Sequence, residues 1–458
     1  MNPDIFRKYD IRGIAETDLT DETVGAIARA FGTRLLDGGE GRGQRVGIGY
    51  DARGSSTRIV SALSEGLQST GVDVIDLGMA PTPLVYFAAH THMLDGAIQI
   101  TGSHNPAEYN GFKMMMGAET LHGDAIQELR EIAEAGEFAR REPGTKRSFG
   151  RIIDEYIAWV ANDIEPGDRS LKIALDSGNG VAGLVAPRLV REVFGGEVIE
   201  MFSEPDDAFP NHHPDPTVAE NLEQLVETVR REDCDLGVAY DGDGDRIGVV
   251  DEEGDILWGD ELMIVLGRAL LDQRPGATII GEVKCSQNLF DDIQARGGKA
   301  IMARVGHSLI KAKIKETDAE LAGEMSGHIF FNDRFFGFDD ALYTTCRLLE
   351  ILSTTEAPLS SLLEGVPQTH ATPELRLDCD ERLKFDVPEV VASEYAEDHE
   401  VNTIDGMRVK FDEGWGLVRA SNTQPQLVVR VEAQSPEARD RYLAQLKEGI
   451  ERAKKKLR

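Results

Sequence analysis

At 458 residues, 41% of them hydrophobic and 28% charged, the chain is long enough for about three to four domains and is composed like a globular protein rather than a disordered one. Its net charge of −32 argues against nucleic acid or an anionic membrane as the main partner, and no apolar run reaches the length of a membrane span. That charge would also repel an anionic ligand at long range, so any cleft for one must gather local cations. The opening Met1-Asn2-Pro3-Asp4-Ile5 lacks the basic and apolar regions of a signal peptide. Cys234, Cys285, Cys346 and Cys379 are scattered without metal-type spacing. A cytoplasmic protein with free thiols, monomeric or weakly self-associating, is expected. The acid excess reads as solvated surface, whether of an ordinary acidic protein or of one from a salt-rich cytosol.

In chain order, strands are predicted at 46–50, 72–77 and 97–100, with helices near 55–70 and 81–93 between them. The polar loop Thr101-Gly102-Ser103-His104-Asn105-Pro106 follows, and an apolar strand returns at 112–116. The same order recurs with strands at 171–175, 197–202 and 236–240 and helices near 181–194 and 218–232. Its loop is Asp241-Gly242-Asp243-Gly244-Asp245-Arg246, with a return strand at 247–250. A third round has strands at 277–281, 299–303 and 320–323 and helices near 287–296 and 308–317. Its loop is Gly323-Glu324-Met325-Ser326-Gly327-His328, and the chain returns at 329–331. Strands alternating with amphipathic helices predict parallel sheet packed between helices. Repeats roughly 105–125 residues apart fit domains rather than solenoid units. All three polar loops therefore fall at one topological position, where open sheets commonly bind ligands.

The last region differs. A strand at 375–379 and a helix near 383–397 precede Asp405-Gly406, which marks a hairpin turn before a strand at 407–411. Strands at 416–419 and 427–432 enclose Ser421-Asn422-Thr423-Gln424-Pro425, and a helix closes the chain at 436–456. This reads as a small α+β domain presenting a polar loop, with boundaries near 150, 255 and 366.

Ser103 stands between Gly102 and His104, where a turn can expose its hydroxyl, and Lys113 can bring a cation back to that loop. Taken singly, a lone loop serine is usually a turn residue and Lys113 is more often a surface charge. Asp241, Asp243 and Asp245, followed by Glu252 at the twelfth position, resemble the ligand spacing of an EF-hand. Its sixth position, however, is Arg246 rather than glycine, and its flanks are strand-like, so the EF-hand is rejected. Three carboxylates with vacant positions better suit Mg²⁺ shared with a phosphate oxygen, against the plainer reading of a solvated acidic turn. Glu324 and Ser326 suit two sugar hydroxyls, with His328 as a further donor. Arg419, Ser421, Asn422 and Thr423, with Arg430 on the next strand, suit a phosphate cage.

At these residues the chain resembles the α-D-phosphohexomutases over essentially its whole length, and within them the bacterial phosphomannomutase/phosphoglucomutase branch. The resemblance rests on Phe6-Arg7-Lys8-Tyr9-Asp10-Ile11-Arg12-Gly13, the serine loop, the aspartate loop, Val305-Gly306-His307-Ser308-Leu309-Ile310-Lys311, 323–328 and 419–425, in that order. It implies three topologically similar α/β domains with mixed sheets plus a C-terminal α+β domain around a central cleft. The expected domains are a phosphoserine-bearing 1–150, a metal-binding 151–255, a sugar-recognition 256–366 and a phosphate-binding 367–458. Ser103 is implied to be phosphorylated, with Asp241, Asp243 and Asp245 binding Mg²⁺ together with a phosphoserine oxygen. Glu324 and Ser326 match the sugar-hydroxyl loop, and Arg419, Ser421, Asn422 and Thr423 match the substrate-phosphate loop. Tyr9, Arg12, Lys284, His307 and His328 match further cleft positions, and Arg246 and Lys113 match positions near the transferring phosphoryl group.

The activity implied is interconversion of hexose 1-phosphate and hexose 6-phosphate, with hexose 1,6-bisphosphate as intermediate and activator. Lys113 or His307 is expected to accept the substrate proton. Met325 looks like the mannose/glucose branch, whereas Asn422 and Gln424 depart from the Gly and Glu common in glucosamine-phosphate mutases. The alternatives are a phosphoglucosamine mutase, a non-catalytic metal or sugar-phosphate binder, and a phosphatase-like hydrolase. A loop that retains the second phosphate favours a mutase over hydrolysis.

Overall fold

The computed structural model describes residues 1–37, 44–421 and 424–458. Apolar runs such as Leu236–Tyr240, buried at every position, form the middle of sheets covered on both faces. In the first sheet Arg45–Tyr50 lies between Asp73–Met79 and Gly96–Ile100, both parallel to it, and Tyr109–Met116 returns antiparallel beside Gly96–Ile100. In the second, Lys172–Asp176 lies between Glu197–Met201 and Leu236–Tyr240, with Ile247–Asp251 returning antiparallel. The third repeats this with Thr278–Glu282 between Lys299–Ala303 and Leu321–Gly323, and Ile329–Phe331 as the return. Each polar loop thus joins the last parallel strand to an antiparallel neighbour, at the carboxyl end of its sheet. The sheets are mixed, as expected.

Several elements lie outside the repeating pattern. Ile11–Ile14 pairs antiparallel with Tyr109–Met116, bringing the N-terminal motif beside the serine loop. Lys146–Ser148 adds an exposed edge to Asp73–Met79. The helix expected at 181–194 is a 3₁₀ turn, Val181–Leu184, followed by Ala186–Phe194, with Pro187 in the first turn of the second piece. The helix expected at 218–232 likewise begins as 3₁₀ at Ala219–Leu222 before Glu223–Arg231.

The C-terminal sheet is wholly antiparallel. Met407–Phe411, Gly414–Ala420 and Gln426–Ala433 form a meander, with Glu400–Asn402 on one side and Leu375–Asp378 pairing with Gln426–Ala433 on the other. Helix Pro436–Leu457, capped by Ser435, buries Ala438, Tyr442, Leu446, Ile450 and Ala453 at helical spacing against it. The four cysteines are free and buried. Among the described residues no helix is long and apolar enough to cross a membrane.

One apolar core runs through the first three units, from Leu84 and Phe87 through Tyr156 and Leu175 to Leu262 and Tyr343. The fourth unit has its own core and meets the third through a small cluster of Val283, Trp415 and Leu417. Arg408 completes that junction. Its guanidinium lies 3.7 Å from the Trp415 ring centre and donates to the carbonyls of Val283 (2.6 Å) and Cys285 (2.8 Å). Burial pulls its pKa down to about 10, which leaves it charged at neutral pH. Arg408→Leu should weaken the junction by about 3 kcal/mol, since it orphans two buried carbonyls that accept charge-assisted bonds. A lower urea midpoint and faster proteinase K cleavage between residues 364 and 374 would register this. An unchanged midpoint and cleavage pattern would mean that the apolar contact suffices.

Candidate active site

Ser103 is nearly fully buried at the tip of its loop and has a φ of +49°, a left-handed conformation uncommon outside glycine. Its amide donates to Thr101 Oγ1 (2.7 Å). Beneath the loop, Arg53 Nη2 donates to the carbonyls of Ser103 (2.8 Å) and Asn105 (2.6 Å), and Nη1 to those of Pro106 (2.5 Å) and Tyr109 (2.8 Å). Asp51 Oδ2 accepts from Arg53 Nε and from the Gly102 amide, both at 3.1 Å. A Cβ at position 102 would stand 2.3 Å from the Arg53 guanidinium carbon, so glycine is required there. Arg12 Nη1 reaches Asn105 Oδ1 (2.9 Å) and Nη2 reaches Asp10 (2.5 Å). The sequence places Arg12 in the cleft but does not point to Arg53. The clue was Asp51-Ala52-Arg53 directly after a central strand.

The serine and aspartate loops meet. Ser103 Oγ donates to Asp241 Oδ2 at 2.9 Å, across 138 residues of sequence. Lys113 Nζ donates to Asp243 Oδ2 (2.7 Å) and pairs with Asp245, while Thr82 donates to Asp243 from its hydroxyl and, at 2.9 Å to the carbonyl, from its amide. All three aspartates are fully buried. Burial and mutual repulsion raise Asp241 and Asp245 above the ordinary carboxylate range. Against the same burial, Lys113 and Thr82 hold Asp243 below it. Burial also disfavours the Lys113 charge, but the three carboxylates outweigh it and push its pKa up.

One ammonium is thus set among three clustered carboxylates. Asp243 Oδ1 and Asp245 Oδ1 are buried without a hydrogen-bond partner among the described residues, and one ligand oxygen from each aspartate lies within 4.8 Å of the others. An all-oxygen donor set with orphaned acceptors fits a hard divalent cation. Because Leu236–Tyr240 and Ile247–Asp251 flank the loop as strands, it is no EF-hand.

A cavity of about 950 Å³ opens above this floor. Tyr9, Arg246, Lys284, His307, Glu324, Ser326, His328, Arg419, Ser421 and Arg430 all line it. Glu324 Oε1 accepts from the Gly306 amide (2.6 Å). Gly327, at φ +86°, lies so close to the aspartate loop's return strand that a Cβ would stand 2.2 Å from the Ile247 carbonyl oxygen, and the Ile247 amide donates to the Gly327 carbonyl (3.1 Å). Arg246 Nε donates to His328 Nε2 (2.9 Å), and the His307 ring stacks on His328 at 5.4 Å. Burial, then Lys311, push His307 well below the ordinary histidine range.

Three parts of the chain converge on Val305. Tyr9 donates to its carbonyl (2.9 Å), and its amide donates to Asp405 Oδ2 (3.1 Å), which also accepts from Arg419 Nε (3.1 Å). Arg419 Nη2 and Arg430 Nε are buried with no hydrogen-bond acceptor among the described residues. Lys284 is held charged against its burial by Glu282 and Glu374. Arg376 and Trp258 also line the cavity and are not foreseen from the sequence. Ser103, Lys113 and Arg12 lie off the cavity wall, whereas Asn422 and Thr423 fall outside the described residues.

Family models for phosphoglucomutase/phosphomannomutase alpha/beta/alpha domains I, II and III match residues 3–140, 154–254 and 258–370, and the C-terminal domain model matches 374–449. A phosphomannomutase/phosphoglucomutase of Pseudomonas aeruginosa is 44% identical, covering 95% of this chain and 93% of that one. A phosphoglucomutase of Neisseria meningitidis is 43% identical over 98% of this chain and 97% of its own. The crystal structure of a phosphoglucomutase/phosphomannomutase family protein from Burkholderia thailandensis superposes with a TM-score of 0.92 at 42% identity, covering 99% and 98% of the two chains.

The aspartate cluster yields a test independent of turnover. Asp243→Asn removes one ligand charge at almost constant size, and should weaken binding of Mn²⁺, used as a hard divalent probe, by about tenfold or more. Titration calorimetry measures this directly. Equal Mn²⁺ affinity in the two proteins would return the loop to a merely buried acidic turn.

Proposed function

The chain belongs to the phosphoglucomutase/phosphomannomutase family, and on that premise we propose that it interconverts hexose 1-phosphate and hexose 6-phosphate, of mannose, glucose or both, through phospho-Ser103. The observation that carries this reading is the 2.9 Å contact of Ser103 with Asp241, beneath a cavity lined by arginines of the C-terminal domain. The phosphorus–oxygen bond to Ser103 breaks as one forms to the free sugar hydroxyl, giving hexose 1,6-bisphosphate. The intermediate turns over within the cavity, and its other phosphate returns to Ser103.

Asp241, Asp243 and Asp245, with an oxygen of phospho-Ser103, would hold Mg²⁺, which neutralises charge on the transferring phosphoryl group when bound. Lys113 and Arg246 supply fixed positive charge at the same place. Glu324 and Ser326 take two sugar hydroxyls in either orientation, with Tyr9 and Lys284 completing the surrounding wall and Arg12 behind it holding Asn105 of the serine loop. Arg419, Ser421, Asn422, Thr423 and Arg430 hold whichever phosphate is not reacting. Of the two proton acceptors considered, Lys113 is occupied by Asp243 and Asp245, so the neutral imidazole of His307 is the better choice. The domain roles follow: phosphoserine in 1–150, metal in 151–255, sugar in 256–366 and phosphate in 367–458. A seat for a second phosphate has no use in simple hydrolysis.

Ser103→Ala should lower turnover by orders of magnitude while leaving the fold intact. Intact-mass measurement should find a phosphate on the wild-type protein that the variant lacks, and near-normal activity in the variant would overturn the covalent route. Arg419→Lys keeps the charge but loses the planar fork. It should raise KM about tenfold, the size of one lost charge-assisted hydrogen bond, and release more free hexose 1,6-bisphosphate during turnover. Saturating bisphosphate should still phosphorylate Ser103 in that variant. Wild-type KM with no added leakage would mean that the loop does not hold the phosphate.

A further inference from the structure

A loop that belongs to neither helix nor sheet leaves its carbonyl groups without regular partners. In the serine loop, the carbonyls of Ser103, His104 and Asn105 accept no backbone hydrogen bond among the described residues. Arg53 Nη2 takes the first and third of these, at 2.8 and 2.6 Å, and Nη1 takes the next one along, on Pro106. His213 Nε2, from the second unit, donates to the one between, on His104. A carbonyl can only accept, so that nitrogen carries a proton, an assignment made from the network around it. Consecutive carbonyls from 103 to 106 are thus held by one arginine and one histidine.

We infer that Arg53 and His213 are positioning residues, which grip these carbonyls from two units and so aim the Ser103 hydroxyl at its reaction partners. The inference rests on the mutase reading for what Ser103 carries. Ser103 needs such a mould, because its φ of +49° is a conformation that persists only where the surroundings impose it. Its Oγ meets Asp241 at 2.9 Å across the boundary between the units. Misplacing a reacting group by about an ångström can cost about 100-fold in rate.

Both grips have firm seats. Arg53 is almost fully buried, with Nε on Asp51 and its guanidinium carbon 5.7 Å from the Phe209 ring centre of the second unit. Phe209 itself has a φ of +46°, rare for a bulky residue and a mark of backbone fixed by its contacts. His212 anchors its neighbour. Its Nε2 lies 3.0 Å from the fully buried Asp176 carboxylate, and its Nδ1 donates to the His213 carbonyl at 3.0 Å. Asn211-His212-His213-Pro214 therefore reaches the serine loop from a fixed base.

His213 is exposed, so replacing it spares the core. His213→Ala should lower kcat by roughly tenfold, short of the loss for a full ångström of misplacement, with KM and the urea midpoint nearly unchanged. Phosphorylation of Ser103 by hexose 1,6-bisphosphate, read by intact mass in a single turnover, should slow to the same degree. His213→Gln should recover most of the loss, because its amide nitrogen can stand near the place of Nε2. Arg53→Ala should lose about 100-fold in kcat, and added guanidinium should restore part of it where ammonium at equal concentration does not. Hydrogen exchange of the amides at 101–110 should quicken in both alanine variants, a change that can be read without turnover. Wild-type kcat and exchange in His213→Ala, equal impairment of its Gln and Ala variants, or a loss confined to the urea midpoint would each overturn the proposal. So would failure of guanidinium to rescue a folded Arg53→Ala. Absence of mutase activity in the wild-type protein would instead defeat the functional reading, and the exchange rates would still decide whether the loop is held in this way.

Discussion

The structure depends on the buried contact between Ser103 and Lys113 on one sheet and three aspartates on the next. Four charges are taken out of water there, and desolvation makes such a cluster costly even when it is paired. The cluster is also unbalanced, with one ammonium for three carboxylates. Neither half can be buried comfortably alone: the first unit would hide an unpaired Lys113 and the second would crowd three like charges. Docking of the two units and assembly of the reaction centre are therefore one event. The continuous apolar core from Leu84 to Tyr343 supplies the non-directional attraction, and the charges fix the register.

The acidic composition and the anionic ligand proposed for the cleft are reconciled by segregation. Arginines and lysines around the cavity are held in place by specific acceptors: Arg419 by Asp405, Lys284 by Glu374, Arg246 by His328. Arg419 and Arg430 nevertheless keep buried donors unpartnered among the described residues. Such donors cost stability, and a phosphate in the proposed site would offset that cost. Acidic charge on exposed surface is screened by dissolved salt within about a nanometre.

Much of this was legible in the sequence, because one order of elements recurs and places a polar loop at the same point three times. Strands such as Leu236–Tyr240 and helices such as Gln287–Ala295 carry their periodicity locally, and short-range pattern is what a sequence displays. Arg53 and Asp405 were not legible for the opposite reason. Arg53 binds carbonyls about fifty residues away, and carbonyls belong to every residue alike. Asp405 looks like a turn residue before Gly406. Ile11–Ile14 is a short strand whose partner lies about a hundred residues downstream, so its pairing leaves no local trace. Pro187 stands in the first turn of Ala186–Phe194, where it starts a helix rather than continuing one.

The stitch between Gly327 and Ile247 bears on how this architecture can diversify. The loop at 323–328 presses against the return strand of the aspartate loop with no space for a side chain at Gly327, and a backbone hydrogen bond joins them. Lengthening or rebuilding that loop would displace the aspartate loop along with it. New sugar preferences are therefore easiest to reach by exchanging side chains that already face the cavity, such as Met325, on an unaltered backbone. A scaffold tied in this way can change its taste without changing its chemistry.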